Sequence, residues 1–335
     1  MNLHSTSITA TITTAATALA ALIGPSPARA QSLPEGMFAE GHASLSLNWS
    51  DSTSDTYALA DFDIGWRPGS GGTIPLGFAL GVDAYHRSKS SGSTNKIALY
   101  PMLTYEISPA LTLSAGVPRF VSSRNGGYLP DERPFYSDAT IIGLRQFFGS
   151  FSASGYLLNG DRQPYGLRLD HRRGNLALGA SFHRIDLDSG STSNVAAVAA
   201  SYDLKITGLS DARVFASFER NQNDASGFGV SQYRIGFAGK YGPVSGALTL
   251  GREDKTGGFD FDITTAELNA TWDVSESFSA RASLLAMDTP TISFTLYGLG
   301  AKYRFNKWAS LQASISDSDT SGPGPFYELG LSVDF

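Results

Sequence analysis

The chain has no cysteine. That excludes a disulfide-held scaffold and any metal site or nucleophile built on thiolates. Charge is scarce as well. Asp, Glu, Lys and Arg make up 17% of the residues, against about 25% in an ordinary soluble domain. No long apolar run compensates, and the closest approach, at the N-terminus, is broken by Ser and Thr. A helical membrane span needs about 20 mostly apolar residues, so an α-helical membrane protein is excluded. Basic residues are outnumbered, and the formal net charge is -6. This argues against a nucleic-acid partner, which demands a basic face. What is present is aromatic content of 11% and 36 glycines in 335 residues. So many aromatics argue against disorder. The glycine share exceeds the usual ~7%. Together these features fit apolar surface spread over many short strands.

Residues 1–30 have the layout of a secretory signal. Ala15 to Ile23 is a small apolar core, Gly24-Pro25 breaks it, and Ala28-Arg29-Ala30 supplies a small-x-small cleavage pattern. The start holds His4 but no Lys or Arg, so its positive charge rests on the amino terminus. The expected division is a signal peptide at 1–30 and a β-barrel domain at 31–335.

The mature chain alternates with period two almost throughout. In the last segment Tyr327, Leu329, Leu331, Val333 and Phe335 oppose Glu328, Gly330, Ser332 and Asp334. One face is apolar and the other polar or small, as in a strand between two media. Leu76–Arg87, Tyr233–Tyr241 and Phe278–Met287 repeat the pattern. Helical spacing is not sustained anywhere. About eighteen such segments are expected, including ones starting near Ala139 and Phe151. Most are about 9–12 residues long, enough for a tilted strand to cross a bilayer.

Connections sort by parity in this reading. Tight links such as Ser108-Pro109, Gly174-Asn175 and Asn306-Lys307 follow even strands. Longer ones, such as Ser50–Asp55, Ser88–Asn95, Ser122–Ser137 and Asp317–Pro325, follow odd strands. A barrel with both chain ends on one side predicts short turns there and longer loops opposite. Aromatics such as Trp66, Tyr105, Phe147, Tyr241, Trp272, Tyr303, Trp308 and Phe335 gather at the tight turns, as girdles do. Charges test the phase: Arg168, Arg234, Arg281, Lys302, Asp61, Asp63, Asp83 and Glu219 all fall on the polar side. The apolar side then faces lipid and the charged side a wet interior. Apolar positions switch parity near Arg184-Ile185 and near Leu296-Tyr297, and a β-bulge is expected at each.

The closing segment, Tyr297 to Phe335, resembles the Gram-negative general porins, especially the alphaproteobacterial type. It has their strand, short turn, strand, acidic loop and aromatic-terminated last strand. Tyr57 to Arg87 is similar to that family's second and third strands. The resemblance implies a transmembrane antiparallel barrel in the outer membrane, passing small hydrophilic solutes and ions by passive diffusion. It also implies about sixteen strands, an alternative to the eighteen counted, and a homotrimer. The last strand, with Tyr327, Leu329, Leu331, Val333 and Phe335, looks like the signal read by barrel assembly machinery. The family folds its third external loop into the pore, which here corresponds to Ser122–Ser137. That loop carries Arg124, Asp131, Glu132 and Arg133, with Tyr128, Phe135 and Tyr136 to anchor it, and Asp131 and Glu132 are expected opposite a basic wall of Arg145, Arg168, Arg172 and Arg213, with a transverse field across the channel.

No catalytic constellation is evident. His42, His86, His171 and His183 lack metal-ligand spacing, and no G-x-S-x-G elbow or phosphate loop occurs. Asp317 and Asp319 read as a solvated acidic loop rather than a cation site. The expectation is a non-enzyme without cofactor. Two rivals remain: a substrate-specific channel, such as a sugar porin with Tyr85, Tyr100 and Phe120 aligned along its bore, and a soluble secreted β-protein or adhesin.

Overall fold

The computed structural model describes residues 35–50, 54–67, 75–89, 92–122, 127–128, 164–186, 190–223, 229–257, 261–319 and 324–334. The leader at 1–30 and the C-terminal Phe335 therefore lie outside the described residues. Among the described residues sixteen strands follow one another: β1 (Met37–Trp49), β2 (Ser54–Trp66), β3 (Leu76–Lys89), β4 (Gly92–Ser108), β5 (Leu111–Gly116), β6 (Tyr165–Arg173), β7 (Leu176–Asp186) and β8 (Thr192–Asp203). They continue with β9 (Ser210–Asn223), β10 (Gly229–Tyr241), β11 (Val244–Thr256), β12 (Phe261–Asp273), β13 (Phe278–Asp288), β14 (Ser293–Arg304), β15 (Ala309–Ser318) and β16 (Phe326–Asp334).

Each strand pairs antiparallel with its sequence neighbours, and β16 returns to β1, closing the barrel. The seam runs from His42 opposite Asp334 to Trp49 opposite Tyr327. Closure removes every sheet edge, the condition for strands to stand in lipid without orphaned backbone groups.

The barrel closes with sixteen strands, not eighteen. The segments expected near Ala139 and Phe151 lie outside the described residues, and the ladder passes directly from β5 to β6, with Leu113 opposite Leu169. Dropping a pair leaves the direction of every later strand unchanged.

The two expected bulges are absent. In β7 the alternation is unbroken, with Ala177, Gly179, Ser181, His183 and Ile185 inward. Arg184 and Asp186 stay on the outer face and pair there at 3.2 Å. In β14 the register to both neighbours is continuous, and Phe294 faces inward, packing with Ile263, Met287 and Leu296. The parity switch in sequence is real, but its cause is an apolar inner wall at that level. Register shifts occur elsewhere, between Ala238 and Lys240 and between Glu106 and Ser108.

The sorting of connections by length is weaker than expected. The segment read as a long link at Ser88–Asn95 is largely strand, since β3 and β4 pair up to Lys89 opposite Gly92. Connections after odd strands (187–191 and 257–260, for example) overlap in length with those after even strands (204–209 and 274–277). One exception dominates: residues 117–164 join β5 to β6, at the end opposite the chain termini.

The outer wall is apolar all round. Leu103, Ile235 and Leu299 are more than 60% exposed on well-separated strands. Water-soluble monomers seldom show contiguous apolar patches beyond a few hundred Å². Aromatics ring this wall. Trp66, Tyr105, Tyr202, Tyr241, Trp272, Phe278 and Tyr303 stand outward near the end that carries the termini. Trp49, Tyr165, Tyr233 and Tyr327 stand toward the other end, with Trp49 stacked on Tyr327 at 5.7 Å. From Tyr233 to Tyr241 on β10, a strand rising about 3.3 Å per residue at about 40° of tilt climbs roughly 20 Å. That is near the ~25 Å apolar band of transmembrane barrels.

Candidate functional site

The inner wall becomes a site where β5 stops. Gly116 has φ of +120°, and a Cβ there would stand 2.6 Å from the Pro101 carbonyl oxygen. Two residues on, Pro118 has no N–H to continue a ladder. The chain leaves the sheet after Gly116, and Val117–Ser122 cross the interior as a buried strap.

Arg119 anchors one side of the strap. Its guanidinium donates to Asp63 on β2 at 3.1 and 3.2 Å and to Asp83 on β3 at 2.8 Å. It also lies over the Tyr100 ring of β4, 4.3 Å from the centroid. Burial alone favours the neutral guanidinium, but Asp83 and Asp63 outweigh it, and the pKa rises above its ordinary value. Arg119 therefore stays a cation at any accessible pH.

The middle of the strap packs on β7. Phe120 stacks on His183 at 3.8 Å and shares an apolar cluster with Ile185 and Val195. His183 Nε2–H donates to the Pro118 carbonyl at 2.8 Å. The Arg119 carbonyl accepts from Arg168 of β6 at 3.2 Å. The far side is tied to β9 and β10: Ser122 donates to Glu219, and its carbonyl accepts from Arg234 at 3.1 Å.

A second anchor follows at Tyr128. Its hydroxyl lies 2.5 Å from Asp170 and 2.9 Å from the Leu178 carbonyl. Arg168 and Arg172 flank its ring at 5.8 and 5.7 Å. Burial, then the Asp170 carboxylate, pushes the phenol pKa up from its usual value.

Two inward glycines make room for these anchors. A Cβ on Gly81 would meet Asp63 Oδ1 at 2.4 Å and Arg119 Nη2 at 3.0 Å. A Cβ on Gly179 would meet the Tyr128 ring at 2.6 Å.

Of the site residues expected from sequence, Arg168 and Arg172 come together at Tyr128. Arg213 does not join them; it pairs with Asp203 at 2.6 Å, beside the turn between β8 and β9. Arg124, Asp131, Glu132, Arg133 and Arg145 lie outside the described residues. The residues that sequence reasoning left out of the site are Arg119, Asp63, Asp83, Glu219 and Ser122. Tyr128, read with Phe135 and Tyr136 as an anchor of this connection, meets Asp170 and the Leu178 carbonyl, while Phe135 and Tyr136 lie outside the described residues. The missed signal is the pair Gly116 and Pro118, which ends a strand otherwise readable through Val121.

The remaining lumen is polar and mixed in charge. Glu219, Gln232 and Glu253 oppose one another across β9, β10 and β11, with Gln232 donating to Glu253 at 2.6 Å. Near the seam His42 and Asp334 lie 2.6 Å apart, with Lys302 3.7 Å from the same carboxylate. The aromatic line imagined for a sugar channel does not form from the described rings: Tyr100 lies under Arg119, and Phe120 is wholly buried. The Tyr85 side chain lies outside the described residues. Asp317 and Asp319 accept backbone N–H groups, at 2.8 and 2.7 Å from Ser318 and Thr295. Among the described residues no group of three or more His, Asp or Glu is arranged to hold a metal.

The architecture is thus a closed sixteen-stranded antiparallel barrel with an apolar exterior and an internal strap. No protein-family model matches the chain, and no curated protein matches it in sequence. Solved structures do match. A loop L8 deletion mutant of OmpT, an outer membrane protein of Vibrio cholerae, superposes with a TM-score of 0.62 at 14% identity, covering 89% of this chain and 99% of that one. OmpT in an in-vitro folded trimer form gives 0.61 at 14%, with the same coverage. A mutant of Rh. blastica porin gives 0.54 at 17%, covering 89% and 100%. At these identities the likeness shows that the chain shares their fold.

Proposed function

We propose that the protein is an outer-membrane porin, a water-filled channel for passive diffusion of small hydrophilic solutes and ions. The strap carries this reading: it lies inside a closed barrel whose wall is apolar outside and charged within. A sixteen-stranded barrel is wide enough for an aqueous bore, and a chain crossing it narrows that bore. The strap is the third connection at its end of the barrel, where the resembled family places its constriction. Asp131 and Glu132 supply the acidic side of the eyelet, and Arg168 and Arg172 part of the basic side.

In this reading residues 1–30 are a cleaved export signal and 31–335 insert as the barrel. The last strand, with Tyr327, Leu329, Leu331, Val333 and Phe335 and with Leu329 and Leu331 exposed on its outer face, is the segment recognised by the assembly machinery. The working form is a homotrimer, as one matched OmpT structure is described. The protein has no catalytic role and uses no cofactor.

Liposome swelling with neutral sugars of increasing size tests the function. A porin gives rates that fall smoothly with size and never saturate. Saturable uptake of a single sugar would overturn general diffusion in favour of a specific channel.

A further inference from the structure

The outer wall is not uniformly convex. Between β5 and β9 it holds a trough of about 460 Å³, and every outward side chain lining it is apolar. Ala180 of β7 and Ala196 of β8 keep it open, and Leu169, Phe182, Val198 and Phe218 stand around them. Their rows are fixed by register: Leu169, Ala180, Val198 and Phe218 face one another in sequence across β6 to β9. The next row, toward the end away from the termini, runs Phe182, Ala196 and Arg220.

Charge appears where that trough ends. Arg220 stands outward beside Ala196, exposed, and makes no ion pair with the described residues. Arg184 stands one row beyond Phe182, beside Tyr165 on β6 and Asn194 on β8. Among the described residues its charged partner is Asp186, at 3.2 Å, with both side chains more than 60% exposed. Such an exposed pair holds weakly and opens at little cost. An apolar trough capped at one end by two arginines matches one chemistry, an acyl chain with an anionic phosphate head.

We propose that this trough is a binding site for an anionic phospholipid, its acyl chain along Ala180 and Ala196 and its phosphate on Arg184 and Arg220. Arginine suits the task because its planar fork meets phosphate oxygens two at a time. The inference rests on the membrane reading of the barrel but goes beyond it, because a porin needs no particular lipid in order to conduct.

The test is native mass spectrometry of the detergent-purified protein titrated with phosphatidylglycerol or phosphatidylcholine, with channel conductance recorded on the same preparations. The wild type retains one phosphatidylglycerol per chain after delipidation, at least tenfold in preference to phosphatidylcholine. Arg184→Gln/Arg220→Gln abolishes the preference, and Ala180→Phe, which fills the trough, abolishes retention, while conductance stays at the wild-type level in both. Retention that ignores headgroup charge, or that survives both variants, overturns the proposal. A change in oligomeric state in Ala180→Phe with lipid still bound overturns it too, by making the trough an interface between copies. Loss of conductance in the wild type would refute the porin reading instead, so the two failures are distinct.

Discussion

Replacing Arg119 with Gln removes the cation that joins the strap to β2 and β3, and the structure fixes the size of the loss. Three hydrogen bonds to Asp63 and Asp83 disappear together with the contact on Tyr100. Breaking a buried ion pair by removing one partner costs about 3–5 kcal/mol. Asp63 keeps 31% of its side chain exposed, and water recovers part of that loss, which puts the weakening near the lower figure, about 3 kcal/mol. At about 1.4 kcal/mol per tenfold, the detached strap becomes about 100 times more populated. The barrel wall does not depend on this contact, so folding into vesicles continues. Single-channel recording reads the effect as a larger mean conductance with more open-channel noise. Limited proteolysis reads it as faster cleavage after Arg119's neighbours. Unchanged conductance, noise and cleavage in Arg119→Gln would refute the claim that Arg119 holds the strap across the lumen.

Three further outcomes follow from the same geometry. Gly81→Ala forces a Cβ against Asp63 and Arg119, and overpacking of this kind costs about 1–3 kcal/mol; the melting temperature falls, and the noise of Arg119→Gln appears in milder form. Tyr128, whose phenol pKa is raised by burial and by Asp170, binds its proton more tightly folded than unfolded. Its contribution is therefore complete below the ordinary tyrosine pKa of about 10 and is lost as pH rises beyond it; alkaline titration loosens the strap in the wild type, and Tyr128→Phe lacks that step when followed by proteolysis. On the outer wall, Leu250→Arg puts a cation on the outward face of β11, which in the proposed membrane setting costs about 2–4 kcal/mol near the midplane, whereas Thr249→Arg, its inward neighbour, changes ion selectivity with little loss of stability; denaturant titration of the vesicle-folded protein separates the two.

Much of the barrel was legible because strand period and solvent contrast coincide. An outward Leu and an inward Ser at every second residue leave no other register, so β10, β11 and β16 follow directly from the sequence. The count differed between β5 and β6, because the two segments expected near Ala139 and Phe151 add no strand to the ladder, which passes directly from β5 to β6. The end of β5 was also illegible: Val117 to Val121 is apolar but for Arg119, and only Gly116 and Pro118 mark its exit from the sheet. The parity switches in β7 and β14 were read as bulges because the inner face was assumed polar throughout. In fact Ile185, Val195 and Phe120 form an apolar cluster inside, as do Ile263, Met287 and Phe294. Tyr128 was legible as an anchor of the connection, but the anchor at Arg119 was not, for another reason. Arg119 meets Asp63 and Asp83 only once three strands and a connection are brought together, and no local pattern records that meeting. Its trace in sequence is indirect, the inward glycines 81 and 179 that leave space for Arg119 and Tyr128.

The central claim is that the barrel stands in a membrane with an open, charged bore narrowed by its own strap. Planar-bilayer recording of the full chain, purified in detergent, tests it most directly. The account predicts stepwise insertions of uniform size, with ohmic conductance that rises in proportion to bulk salt. A protein that stays in solution without detergent and never conducts would contradict it.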